Sequence, residues 1–252
     1  MNRTWDVTSS VIASTLMGWR GSMGSRSVQQ PEKLPELYDR EGCPKCRLVR
    51  EAATELNLDI RIIPVPQGGT RFLQQLKDVS GSDEVPYLVD PNTNTRLGGA
   101  DLIVEYLFRH YAGRSAPKPL HATSLNLVRS KLATAIRQNQ GVRAVPSLAA
   151  PQELTLYSFE SSPYSRIVRE KLSELELPYK LVNIGKQQRA DVGPATRRLH
   201  LGPYKPLPNT KRSEFFAKHG NVQVPYLIDP NTGIDMFESA DISAYLDKTY
   251  KR

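Results

Sequence analysis

The chain has 252 residues, enough for one large domain or two domains of about 100–150 residues. Apolar residues make up 39% and charged residues 24%, and nowhere do about 18 consecutive apolar residues occur, so neither a membrane span nor a membrane partner is expected. The net charge is +8, but no nucleic-acid motif or aromatic-basic platform accompanies it, so nucleic acid is not an expected partner; two cysteines exclude a disulfide scaffold.

Residues 1–33 are rich in Ser and Arg and poor in acid, a composition shared with organelle transit peptides. "IASTLMGWRG" (12–21) can also be laid over "LATAIRQNQG" (132–141), which predicts a leading helix and linker instead. A first domain is expected over 34–112. It starts with a strand at 34–39, and a loop holding Cys43 opens a helix over 44–56. The alternating, β-branched "LDIRIIPV" (58–65) predicts a second strand, followed by a helix over 71–79. "PYLVD" and "TRL" predict a hairpin across "DPNTN", and "GADLIVEYLFRHY" a closing helix. Residues 113–152 form a basic linker with a helix, in which Leu125, Val128, Leu132 and Ile136 share one face. A second domain, 153–252, repeats the element order, with strands near 154–158, 179–184, 226–229 and 235–237.

The repetition is visible residue by residue. "VPYLVDPNT" (85–93) returns as "VPYLIDPNT" (224–232), and "ELYDREGCPKCRLVRE" (36–51) as "TLYSFESSPYSRIVRE" (155–170). "ADLIVEYLFRHY" (100–111) returns as "ADISAYLDKTY" (240–250). Position 162 matches 43 while 224 matches 85, so the second copy holds about 20 extra residues within 186–212. That stretch is basic and rich in Pro and Gly, and reads as an inserted surface loop.

Cys43 and Cys46 are the only cysteines, at a spacing that reads as redox or metal-binding. The four histidines show no ligand spacing around them, so no metal is expected. A cysteine just before a helix has its thiolate stabilised by free N–H groups and the positive helix end. Lys45, Arg47 and Arg50 add positive charge, and Cys46 lies one helical turn away, where it can resolve a mixed disulfide. In the second copy Ser162 and Ser165 replace both cysteines, so no thiol–disulfide exchange can occur there.

The element order, with Cys-Pro-x-Cys after the first strand, Val-Pro before the third and a Gly-Gly-x-Asp or Glu-Ser-x-Asp helix start, resembles the thioredoxin-like fold. More narrowly it is similar to the N-terminal, glutathione-binding domain of glutathione transferases and to glutaredoxins, over about 36–111 and 154–250. The implied fold is α/β: two tandem thioredoxin-like β-α-β-α-β-β-α domains, each preceded by a short helix. The resemblance implies cis peptides at Pro86 and Pro225, which turn the backbones of Val85 and Val224 toward glutathione; trans prolines opening a strand are the alternative. It also implies that Gly98, Gly99 and Asp101, and in the second copy Glu238 and Ser239, hold the γ-glutamyl end; plain helix capping is the alternative. Some transferases use a serine near the Ser162 position to stabilise the glutathione thiolate. The pairs Arg47/Arg166 and Arg50/Arg169 persist between the copies, and either glutathione carboxylates, ion-pair partners or solvent can be what they face.

The expected activity is therefore a glutathione-dependent thiol–disulfide oxidoreductase. The first domain carries Cys43 as nucleophile and Cys46 as resolver, and the second is redox-silent and binds glutathione. Glutathione is the co-substrate and a protein disulfide a candidate substrate; the two copies can pack as an internal pseudo-dimer, with the oligomeric state open. The alternatives are a transferase acting at Ser162, or a non-enzymatic scaffold whose basic insert (Arg197, Arg198, Lys205) recruits an acidic partner. A cytoplasmic location is expected, with an organelle as the alternative.

Overall fold

The computed structural model describes residues 3–25, 28–195 and 202–252. The elements run α1 (Arg3–Leu16), β1 (Glu36–Asp39), α2 (Pro44–Glu55), β2 (Ile60–Pro64), α3 (Leu73–Ser80), β3 (Tyr87–Asp90), β4 (Thr95–Gly98) and α4 (Ala100–Ala112). The second copy follows as α5 (Ser124–Ile136), β5 (Leu154–Ser158), α6 (Pro163–Glu174), β6 (Tyr179–Asn183), α7 (Lys211–His219), β7 (Tyr226–Asp229), β8 (Ile234–Phe237) and α8 (Ser239–Tyr250). Each copy thus has the β-α-β-α-β-β-α order behind a leading helix.

All eight strands join in one sheet, in the order β4-β3-β1-β2-β6-β5-β7-β8. Within each copy the first two strands are parallel and the third and fourth antiparallel. The copies meet where β2 pairs antiparallel with β6, Ile60 opposite Leu181 and Ile62 opposite Tyr179. Each copy would otherwise expose an edge strand, and pairing the two edges satisfies both. The order is symmetric about that seam, so the halves form an internal pseudo-dimer.

Strand alternation divides the core. Leu37 and Leu156 point to one face, into an apolar core that runs unbroken through both copies beneath α2, α4, α6 and α8. Tyr38 and Tyr157 point to the other face, where α3 covers one small cluster and α7 another, richer in aromatic rings.

The leading helices are exchanged. α1 precedes the first copy but packs on α6, and α5 precedes the second but packs on α2. Ser14 Oγ donates to Ser161 O at 2.8 Å; at the matching place Thr134 Oγ1 donates to Gly42 O at 2.9 Å. Close approach of the chain after α5 requires Gly42, because a Cβ there would stand 2.3 Å from Val142 Cγ2. The chain beyond each helix continues the exchange: Gly24 N donates to Lys186 O, and Gln67 N donates to Val142 O, both at 2.7 Å.

Three readings are sharpened. Leu125, Val128 and Leu132 share a face as predicted, but that face is exposed; α5 buries Asn126, Ser130 and Ala133 instead. The insert is not simply a surface loop. Asp191 is buried and accepts from Gln187 N at 2.9 Å and Tyr204 OH at 2.6 Å, with Arg212 Nε 3.4 Å away, so a polar core of its own anchors the segment. Arg197 and Arg198 of that insert lie outside the described residues. Finally, Arg47, Arg50, Arg166 and Arg169 are all buried, and of the three alternatives the ion-pair partner is the one found for Arg47, Arg50 and Arg169, with Arg47 3.6 Å from Glu160, while Arg166 donates to Ser10 O at 2.8 Å. Arg50 meets Asp39 at 2.6 Å, Glu41 at 3.2 Å and Glu160 at 3.1 Å, while Arg169 meets Glu41 at 3.0 Å and Glu160 at 3.1 Å. Burial alone would push the Glu160 carboxyl up, but Arg169, Arg50, Arg47 and Arg166 together hold it at about 2.

Candidate active site at Cys43

Cys43 is the N-cap of α2, in extended conformation, with Pro44 opening the helix. Its Sγ accepts from Cys46 N at 3.5 Å and lies 4.0 Å from Val85 O. Cys43 is partly exposed; Cys46, one turn on, is fully buried. The Cys43 pKa falls to about 6, chiefly because the Cys46 thiol hydrogen-bonds to it. Burial opposes that shift, and the backbone N–H groups of Cys46 and Lys45 assist it. Cys46 moves the other way, well above the usual thiol range, first through burial and then through its bond to, and repulsion from, Cys43. One sulfur is poised as a thiolate and the other held as a thiol. Arg47 and Arg50, expected to charge this site, are turned instead to Glu160 and Asp39.

Cys43 opens into a cleft of about 470 Å³. Arg40, Lys45, Gln67, Glu84 and Val85 are among its lining residues. The Val85–Pro86 and Val224–Pro225 peptides are both cis. Gly99 caps α4 in the left-handed region, at φ 87°, and its N–H donates to Pro86 O at 3.1 Å, so the cis-proline loop and the α4 N-terminus are joined by backbone. Gly98 ends β4, opposite Tyr87. Asp101 does not cap its own helix; its carboxylate accepts from Ala122 N at 2.7 Å and tethers the linker before α5.

The serine copy keeps the geometry and loses the opening. Ser162 is the N-cap of α6, and its Oγ accepts from Ser165 N at 3.2 Å, as Cys43 accepts from Cys46 N. Ser162, however, is only 2% exposed. Ser161 is buried beside it, its hydroxyl hydrogen-bonded to Ser22 and its carbonyl to Ser14 of the exchanged α1. Phe159 stands where the first copy has Arg40, with the Lys186 ammonium 5.4 Å from its ring centre. Glu238 caps α8 in the left-handed region, at φ 67°, a strained place for a side chain, and its carboxylate accepts from Gln223 Nε2 at 2.5 Å. Ser239 is buried as the first residue of α8.

Sequence reasoning passed over Glu41 and Glu160, the acids that cross the seam to the arginines. The signal was available: in the aligned stretches the two glutamates fall at the same place, two residues before Cys43 and Ser162.

The model of a family described as glutathione S-transferase, N-terminal domain, matches the chain twice, over residues 37–115 and 156–252. No curated protein matches the chain significantly. A solved structure described as "Leishmania TDR1 - a unique trimeric glutathione transferase" is 13% identical, covering 87% of this chain and 68% of that one at a TM-score of 0.28, which is too distant to carry an argument. No described helix is long and apolar enough to cross a membrane. With two matches that between them span well over half its length, the chain belongs to the glutathione S-transferase N-terminal domain family, in tandem.

Proposed function

We propose that the protein is a glutathione-dependent thiol–disulfide oxidoreductase whose chemistry takes place at Cys43. The observation that carries this reading is the asymmetry of the two sulfurs: a partly exposed Cys43 with a pKa of about 6, held by a buried Cys46 that stays protonated. Residues 34–112 are the redox unit and 153–252 a silent one, each leaning on the other's leading helix.

The Cys43 thiolate attacks the glutathione sulfur of a mixed disulfide. The S–S bond breaks, the substrate thiolate leaves and takes up a proton, and Cys43 becomes disulfide-bonded to glutathione. The thiolate of a second glutathione attacks that sulfur, producing oxidised glutathione and returning Cys43 as thiolate. Cys46, buried and protonated, acts chiefly by donating its hydrogen bond, and a Cys43–Cys46 disulfide is the slower route. Val85, which lines the cleft, the cis Pro86 and the α4 N-terminus at Gly98 and Gly99 form the glutathione cradle in this reading, with Asp101 beside it. In the second copy Val224, Pro225, Glu238 and Ser239 occupy the matching positions, but burial of Ser162 argues against thiolate activation there. A transferase centred on Ser162 is therefore the weaker reading.

The test is glutathione-dependent reduction of a small mixed disulfide by wild type, Cys43→Ser and Ser162→Ala. Loss in Cys43→Ser with retention in Ser162→Ala supports the proposal. An unchanged rate in Cys43→Ser overturns it, and conjugation of a small electrophile that depends on Ser162 would establish the transferase instead.

A further inference from the structure

α1 and α5 are amphipathic the wrong way round. They meet each other through Ala13, Met17 and Ala133. Toward the body of the protein they bury small polar side chains: Ser9, Ser10 and Ser14 from α1, Asn126 and Ser130 from α5. Of these, Ser10 and Ser14 donate to backbone around the start of α6, at Pro163 O and Ser161 O, each at 2.8 Å, while Asn126 donates to Pro119 O and His121 O in the linker before α5. Outward they present Trp5 and Ile12, and Leu125, Val128 and Leu132, with Trp19 just beyond α1; Leu125 is 59% exposed, Leu132 52% and Trp5 44%. A water-facing helix normally shows the reverse pattern. The outward spacing i, i+3, i+7 in α5 places its three residues in one stripe, and Leu132 and Leu125 occupy the repeat positions of Ile12 and Trp5.

Charge narrows what can cover this face. Arg3, Arg129 and Lys131 are exposed on the same two helices. Their one acid, Asp6, is tied to the buried Arg137 at 2.7 Å. A second copy of the chain, meeting this face with its own, would set basic groups against basic groups around a two-fold axis. A lipid surface with anionic headgroups matches both parts, apolar side chains at the headgroup–acyl boundary and cations among the headgroups. Trp5 is on this face and the chain's other tryptophan, Trp19, is exposed just beyond α1, and tryptophan favours the membrane–water interface.

We propose that the α1/α5 face docks on an anionic phospholipid surface, with both helices lying in its plane. Hydropathy along the sequence pointed away from any membrane because Ser and Thr interrupt each apolar run. Windowed hydropathy detects spans, not a stripe that is completed only when two helices are brought side by side.

The test uses the intact chain with vesicles of phosphatidylcholine alone and of phosphatidylcholine with phosphatidylserine, read by flotation and by the emission of the two tryptophans. Binding with a blue shift on the phosphatidylserine vesicles only, weakened by salt, is expected. Arg129→Gln with Lys131→Gln should weaken it by about 30-fold. Ile12→Ser with Leu132→Ser should abolish it while circular dichroism and the Cys43 alkylation rate stay at wild-type values. The proposal is overturned if the folded wild type floats with neither vesicle, binds phosphatidylcholine alone equally well, or binds as tightly with the two apolar residues replaced. It is also overturned if sedimentation shows a dimer that Leu132→Ser dissociates and no vesicle binding occurs.

Discussion

The Cys43 loop and the Ser162 loop are the same structure with opposite access to solvent. Each begins a helix with a capping side chain that accepts from the backbone N–H three residues on, at 3.5 Å and 3.2 Å. Each is followed by arginines that cross the seam, and each copy has a cis Val-Pro before its third strand. Cys43 nevertheless lines a cleft, whereas Ser162 is sealed. The comparison teaches that loss of sulfur and loss of access go together: once no chemistry needs a thiolate, the cap remains because the helix still needs one.

The largest effect expected is at the sulfur itself. Cys43→Ser should bring disulfide reduction to the background rate, because a hydroxyl does not ionise in the working range, and a coupled glutathione assay would register this directly. Restoring the sulfur on the other side sharpens the comparison. Ser162→Cys should be alkylated on the order of a hundredfold more slowly than Cys43, since a buried thiol in this setting is inert. Comparable rates would mean that access does not separate the two copies.

The seam is the next target. Arg169→Ala leaves Glu41 and Glu160 with less than their full set of partners, and breaking a buried ion pair costs about 3–5 kcal/mol, measurable by chemical denaturation. Loss of one copy's unfolding transition alone would show that the halves are not coupled there. Smaller again is the tuning of Cys43. Cys46→Ala removes its main hydrogen bond, so the midpoint of alkylation against pH should climb from about 6 toward the ordinary value of about 8.5. The thiolate that now predominates at pH 7 would then become the minor form. Ser162→Ala should do least, costing about 1 kcal/mol as a lost cap without changing disulfide reduction.

Much of this was legible along the chain. The repeated Val-Pro segments, the two loop motifs and the alternation of 58–65 located the strands and the cap positions, because period and turn chemistry are local properties. The stripe at Leu125, Val128 and Leu132 was legible as a stripe but not as an exposed one, since periodicity reports which residues share a face and not what the face meets. Arg50 and Arg169 were legible as retained charges, but their partners Glu41 and Glu160 come from both sides of the seam, across more than a hundred positions for Arg50 and Glu160.

Local spacing and duplication therefore determined that there are two thioredoxin-like units and where the sulfur sits, because helix caps, strand alternation and turn residues act over a few positions. Tertiary structure decided the rest. The pairing of β2 with β6, the exchange of α1 and α5, the buried arginine network and the sealing of Ser162 all depend on surfaces meeting that are distant in sequence. Which of the two loops keeps an opening is set by those encounters, in which Phe159 and Ser161 of the second loop meet Lys186, Ser22 and Ser14 from segments distant in sequence.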